Sequence, residues 1–187
     1  MQITKIYDTF LAKFVSFVST FQVGDGTKDN VFIGPVQNNM QYEKAKNLFS
    51  IKSVNLTPAL GGTISDAPGF FIPPTIIDNP PESSPVVQEE PFAPILPVLK
   101  WSDEEDVLAR ANDSDSALGA SVWTKDLERG QRIADQLQAG SVWVNSHFEV
   151  SPFAPFGGHK SSGLGTEWGV QGLTQYCNSQ SLWVKNA

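Results

Sequence analysis

Cysteine is nearly absent from this chain: Cys177 is the only one among 187 residues. A single thiol excludes an internal disulfide framework and any cysteine-rich zinc site, and it fits a reducing compartment. Long apolar runs are also missing. None reaches about 18 residues, so no membrane-spanning helix is expected. The opening stretch, interrupted by Lys5, Asp8 and Lys13, has neither the clean apolar segment nor the small-residue cleavage site of a secretory signal, and the cytoplasm is the expected compartment. Positive charge is scarce: 13 Lys and Arg stand against 20 Asp and Glu, a net charge of -7. With no basic cluster, a nucleic-acid partner and an anionic membrane surface are both excluded. No Gly-x-x-x-x-Gly element leads into a helix in the context of a phosphate-binding loop. Internal repeats and low-complexity tracts are absent.

What is present is an ordinary globular composition, 40% hydrophobic and 18% charged, at a length that fits one domain with a substantial core. Ile6, Phe10, Phe14, Phe17, Val18 and Phe21 recur at helical spacing and predict a helix over 6–21, closed by Gly24-Asp25-Gly26. A second helix is predicted from Asn38 or Asn39 to about Phe49. Residues 57–81 are rich in proline and glycine and predict loop, with short extended pieces at 70–72 and 75–77. Beyond Pro94 a strand is predicted at 95–99. Ser102 to Glu105 forms a capping box for a helix to about Ala111, and a second strand follows at 120–123. Thr124 or Asp126 caps a helix to Gln138 that Gly140 ends, and a third strand occupies 141–145. Alternating strands and helices predict right-handed crossovers and a parallel sheet. A helix at 167–176 and a final strand at 181–185 complete the expectation. Gly130, inside a predicted helix, costs about 1 kcal/mol relative to alanine.

Five motifs in order carry a resemblance. Glu89-Glu90-Pro91-Phe92-Ala93-Pro94 directly precedes the strand at 95–99. Gly34-Pro35 precedes Gln41-Tyr42-Glu43-Lys44, and Gly69-Phe70-Phe71-Ile72-Pro73-Pro74-Thr75 follows. Next comes Leu118-Gly119-Ala120-Ser121-Val122-Trp123-Thr124. The last is Gly140-Ser141-Val142-Trp143-Val144-Asn145 with Pro155-Phe156-Gly157-Gly158-His159-Lys160-Ser161-Ser162-Gly163. Together these resemble the aldehyde dehydrogenase superfamily, specifically the C-terminal portion of its catalytic domain, and their wording is closest to cytosolic-type fungal enzymes.

The resemblance implies an α/β fold with a parallel three-layer sheet: one partial catalytic domain over 1–187, with an oligomerisation strand within 178–187. It implies thiolate attack on an aldehyde, hydride transfer to a nicotinamide, NAD(P), and hydrolysis by water with a glutamate as base. Glu90 matches the glutamate that bonds the nicotinamide ribose, Phe92 the aromatic beside the nicotinamide, and Gln41 and Lys44 residues near the cofactor. Phe156 and Asn145 match the wall and loop of the aldehyde tunnel, to which Phe148 and Phe153 add aromatic surface. Phenylalanines at such places also serve as ordinary core. In the family the nucleophile, the general base and the nucleotide domain precede the segment resembled here. Cys177 is expected to be a small, inert, partly buried thiol. Ala93 replaces a motif glycine and Ser116-Ala117 an aromatic-glycine pair, which costs on the order of 1 kcal/mol each if those backbone angles are positive.

Three functions follow. The chain is half of an NAD(P)-dependent enzyme, active only with its missing part. Alternatively it is a self-associating protein recruited to non-redox isomerisation, cyclisation or dehydration of a carbonyl or polyene small molecule, needing no cofactor, with Glu90, His147, Glu149 and His159 as acid–base candidates. Or it is a non-catalytic partner of full-length relatives. On sequence the second is favoured as an independent role, with a homodimer or hetero-association expected to cover the exposed face. No metal site is expected.

Overall fold

A computed structural model describes residues 1–50, 56–64 and 68–186. Part of the proline- and glycine-rich loop predicted over 57–81 lies outside these. The chain has two compact units, Met1–Arg110 and Ala111–Ala187.

The first unit opens with β1 (Gln2–Ile3), a single 3-10 turn and α1 (Tyr7–Val18), followed by α2 (Asn39–Ser50), β2 (Pro58–Leu60), β3 (Thr75–Asp78), α3 (Pro85–Gln88), β4 (Ile95–Val98), β5 (Lys100–Trp101) and α4 (Glu104–Asn112), which reaches the second unit. Strands β2, β3 and β4 form a sheet with β3 in the middle, antiparallel to β2 and parallel to β4. Successive side chains of a strand point to opposite faces, and β3 is buried on both. Ile77 joins Tyr42, Ala45 and Leu48 of α2, Ile72, Val86 of α3 and Ile95 of β4 in one cluster. Ile76 joins Tyr7 and Val18 of α1 and Val98 of β4 in another. The expected three layers are therefore present here, helix, sheet and helix, but the sheet is mixed rather than wholly parallel, because β2 runs antiparallel to β3.

The second unit contains β6 (Ser116–Ala117), β7 (Gly119–Val122), α5 (Leu127–Ala134), β8 (Ser141–Val144), β9 (His159–Lys160) and α6 (Gly169–Thr174). β7 and β8 pair in parallel across α5, and β6 pairs with β9 antiparallel. Asp126 caps α5 by accepting the Arg129 N–H at 3.0 Å, and Thr124 accepts the Asp126 N–H.

Several expectations need correction. The cap of α4 is Asp103, which accepts the Asp106 N–H at 2.8 Å, rather than Ser102. α5 ends four residues short of Gln138. Asn112 donates to the Gln136 carbonyl and accepts the Gln138 N–H, drawing those backbone groups away from a helical ladder. Two-residue strands β5 and β6 intervene between the predicted strands at 95–99 and 120–123; β5 pairs with β1, and β4 with β3. Residues 70–72 are not strand. Where the oligomerisation strand is expected, residues 178–186 belong to no ladder within this one chain, and Leu182, Trp183 and Val184 are exposed. Neither Ala93, Ser116 nor Ala117 has a positive φ, so no left-handed strain arises there; the left-handed residue is Phe92. Cys177 is exposed rather than partly buried. No helix among the described residues is long and apolar enough to cross a membrane.

Candidate functional site

In the first unit, one helix and one loop bring four candidates together. Asn38 accepts the Gln41 N–H at 2.9 Å and starts α2, which is anchored through Tyr42, Ala45 and Leu48. Buried positions at 42, 45 and 48 leave Gln41 and Lys44 on the flank that meets the 89–92 loop. The Gln41 side chain donates to the Pro91 carbonyl. Lys44 Nζ stands 3.3 Å from a Glu89 carboxylate oxygen. Such an exposed ion pair contributes about 0–1 kcal/mol, so its effect is to orient the loop more than to stabilise the fold. Both side chains therefore act on the backbone and acid flanking Glu90. Glu90 itself is exposed. Phe92 follows with φ 45°, a region costly for a bulky side chain, and its ring remains 72% exposed. Ala93 packs on the core beneath.

Glu90 and Phe92 are the groups on this wall that would hold a nicotinamide riboside. A carboxylate accepts two ribose hydroxyl hydrogen bonds, and an exposed ring offers a flat apolar face.

The second unit gathers the other candidates on one loop after β8. Gly140, where that strand begins, has to be glycine: a Cβ would lie 1.7 Å from the Gly157 carbonyl oxygen. The close approach joins the start of β8 to the far end of the loop. Asn145, at φ 57°, accepts the Thr124 N–H at 2.7 Å and donates to the Thr124 carbonyl at 2.8 Å. One amide thus extends the β7–β8 pairing by a further residue. Trp143 Nε1 donates to the Glu149 carbonyl at 2.8 Å and folds the loop back on the strand. Phe156 is fixed by a reciprocal pair of 2.8 Å backbone bonds with Glu167. Its ring lies 6.0 Å from that of Phe148, edge to face, and 5.8 Å from that of Trp168. Phe148 (φ 57°) and Trp168 (φ 58°) are both left-handed. A cavity of about 220 Å³ lies against β8, lined by Trp143, Glu149, Phe156 and Trp168 among others.

Phe153 stands apart, 91% exposed. His147 lies with its ring 5.3 Å from that of Trp143, edge on, and is exposed, as is Glu149. His159 belongs to β9, where its register partner is Ala117. Of the acid–base candidates, Glu90 belongs to the first unit; in the second, His147 and Glu149 lie on the loop after β8 and His159 on β9. Trp143 and Trp168 also belong to the cavity wall. A tryptophan just before Gly169 carries no sequence signal of a cavity wall, and Trp143 read only as a strand residue.

The family model described as "Aldehyde dehydrogenase family" matches residues 3–182. The chain is 44% identical over 156 residues to the aldehyde dehydrogenase LUC3 of a Fusarium species, covering 81% of this chain and 34% of that protein. It is 34% identical over 183 residues to the betaine aldehyde dehydrogenase of Brucella anthropi, covering 95% and 38%. Among solved structures, the NAD+ complex of aldehyde dehydrogenase from Bacillus cereus superposes with a TM-score of 0.89 at 34% identity, covering 97% of this chain and 37% of that one. The chain thus spans well under half the length of the curated relatives it matches.

Proposed function

Because the chain belongs to the aldehyde dehydrogenase family, we propose that it serves as the C-terminal part of an aldehyde-oxidising catalytic unit, completed by a nucleophile-bearing segment of the same family. The observation that carries this reading is the 89–92 loop. Gln41 and Lys44 hold its backbone and flanking acid, and Phe92 keeps a left-handed backbone with its ring in solvent. Strain of this kind costs on the order of 1–3 kcal/mol and persists where the surroundings impose it, commonly at ligand sites.

In this reading Glu90 accepts the ribose hydroxyls and Phe92 packs against the nicotinamide, whose chemistry when bound is to accept hydride. Asn145 holds the loop at the end of β7 and β8. Phe148, Phe153 and Phe156 supply apolar surface to the aldehyde and exclude water from it. The thiolate and the general base belong to the completing segment.

The decisive experiment mixes or co-expresses the 187-residue chain with the N-terminal remainder of a close relative and supplies NAD+ and an uncharged aldehyde. Aldehyde-dependent nicotinamide reduction by the pair, and none by the chain alone, is the expected result. Glu90→Gln in the active pair replaces a charge-assisted acceptor worth about 1.5–3 kcal/mol and should raise the KM for NAD+ by roughly ten- to a hundredfold. A stable pair without turnover would point to a non-catalytic partner of full-length relatives.

A second reading, self-association and recruitment to non-redox isomerisation, cyclisation or dehydration of a carbonyl or polyene, draws on the aromatic cavity beside β8. We rank it behind the first on two grounds. His147 and His159 are exposed and neither lines that cavity, so Glu149 has no second acid–base group beside it there. Both hydrophobic clusters found among the described residues lie in the first unit, so the second has apolar surface for another segment to cover.

A further inference from the structure

Phe156, which lends apolar surface to the aldehyde in the proposed reaction, is held from two sides. Its ring lies 6.0 Å from that of Phe148, edge to face, and 5.8 Å from that of Trp168, tilted by 43°. Both flanking residues are left-handed, and Trp168 is the more extreme. At φ 58° and ψ -179° it stands at the edge of a region that glycine alone occupies freely. Its ring is 41% exposed, so burial does not account for this conformation. The surrounding backbone imposes it. Glu167, just before it, exchanges two 2.8 Å backbone bonds with Phe156. The Trp168 carbonyl accepts the Gly172 N–H at 2.8 Å, and Gly169, just after it, donates to the Pro152 carbonyl at 3.1 Å. Gly169 is itself left-handed at φ 60°, and a Cβ there would lie 2.9 Å from the Pro155 nitrogen. The chain thus turns tightly against residues 152–156, and the turn delivers an indole to the side of Phe156 away from Phe148.

We propose that Trp168 is a positioning residue for the oxidation: its ring holds the Phe156 ring in the orientation that meets the aldehyde, and its strained backbone is what places the ring there. This role rests on the aldehyde-oxidising reading and adds to it a residue outside the motif that contains Phe156. Aromatic rings at these separations attract one another. With a neighbour on each side Phe156 has one resting orientation, whereas with Phe148 alone it is free to turn away. A residue kept under strain at a functional place separates stability from activity. Removing the ring harms the reaction, and removing the Cβ relieves the backbone.

Two variants divide ring from backbone. Trp168→Ala and Trp168→Gly both lose the indole, but only glycine accepts these angles without strain. In the active pair both should raise the KM for an uncharged aldehyde by about tenfold and leave the KM for NAD+ unchanged. Trp168→Phe keeps a ring and should stay within about twofold of the parent. In thermal unfolding of the chain alone, Trp168→Gly should melt several degrees above Trp168→Ala. Equal melting of the two, or an aldehyde KM restored in Trp168→Gly, would overturn the proposal. Fluorine NMR of the chain alone, with 4-fluorophenylalanine incorporated at Phe156, needs neither NAD+ nor a second chain. One resonance that shifts and broadens in Trp168→Gly is expected. A signal unchanged by loss of the indole overturns the proposal whether or not the pair oxidises aldehydes, and an inactive pair with a shifted signal counts against the aldehyde-oxidising reading alone.

Discussion

Gly130 shows why residue-scale costs depend on neighbours. In an isolated helix it would be about 1 kcal/mol worse than alanine. In α5 a Cβ at this position would lie 2.9 Å from Thr124 Cγ2 and 2.9 Å from Val144 Cγ1, so the absent side chain is what allows the helix to lie against β8. Gly130→Ala is therefore expected to destabilise by about 1–3 kcal/mol through overpacking, where helix propensity alone predicts a gain. Urea unfolding monitored by circular dichroism decides, and a stabilised variant would show that the contact relaxes freely. The same lesson applies to the candidate site. The types and order of Glu90, Phe92, Asn145 and Phe156 were legible in the motifs. That Phe92, Asn145 and Phe148 hold left-handed backbones was not, because only asparagine among them announces tolerance of that region. Lys44 was expected near a cofactor and is found paired with Glu89, one residue from the acid that the motif singled out.

At the scale of elements, Tyr7 ties α1 to the central sheet. Its ring is buried, and its single hydroxyl proton is shared between two acceptors, Asp78 Oδ1 at 2.6 Å and the Val98 carbonyl at 2.8 Å, joining the helix to β3 and β4. Burial first, and then the hydrogen bond to the Asp78 carboxylate, raise the tyrosine pKa above its ordinary value. A raised folded-state pKa contributes stability that is fully present below the unfolded-state value, near 10, and is lost as pH rises towards the folded-state value. Unfolding free energy should thus fall by up to about 1.4 kcal/mol per pH unit above about pH 10. Tyr7→Phe should lose about 1–3 kcal/mol at pH 8 by leaving buried acceptors unmatched, and the gap between variant and parent should narrow towards pH 11. Denaturation midpoints of both proteins across pH 8–11 measure this, and a constant gap would contradict it. The longer elements, α1, α2, β4, β7 and β8, were legible because periodicity acts over several residues. The two-residue strands β1, β5, β6 and β9 were not, since each exists only through a partner distant in sequence.

At the scale of the whole molecule, buried apolar area is unevenly distributed. Tyr42, Ala45, Leu48, Ile72, Ile77, Val86 and Ile95 form one cluster and Tyr7, Val18, Ile76 and Val98 another, all in the first unit. In the second unit Trp123, Leu164, Val170, Leu173 and Trp183 are exposed. Because local stability follows buried contacts, hydrogen exchange of the chain alone should be slower by at least about tenfold for the β3 and β4 amides than for those of β7 and β8. Adding the completing segment should slow exchange in β7 and β8. Equal protection in both sheets of the isolated chain would mean that the second unit is stable without further burial.

The sequence by itself determined the family, the longer helices and strands, and the residue types of the two walls, because motifs and hydrophobic periodicity are local properties of a chain. Only the tertiary structure decided that α2 clamps the Glu90 loop, that Gly130 and Gly140 are contact positions, and that Trp143 and Trp168 share a cavity with Glu149. Each of these depends on a close approach between residues far apart in sequence, which no local pattern encodes.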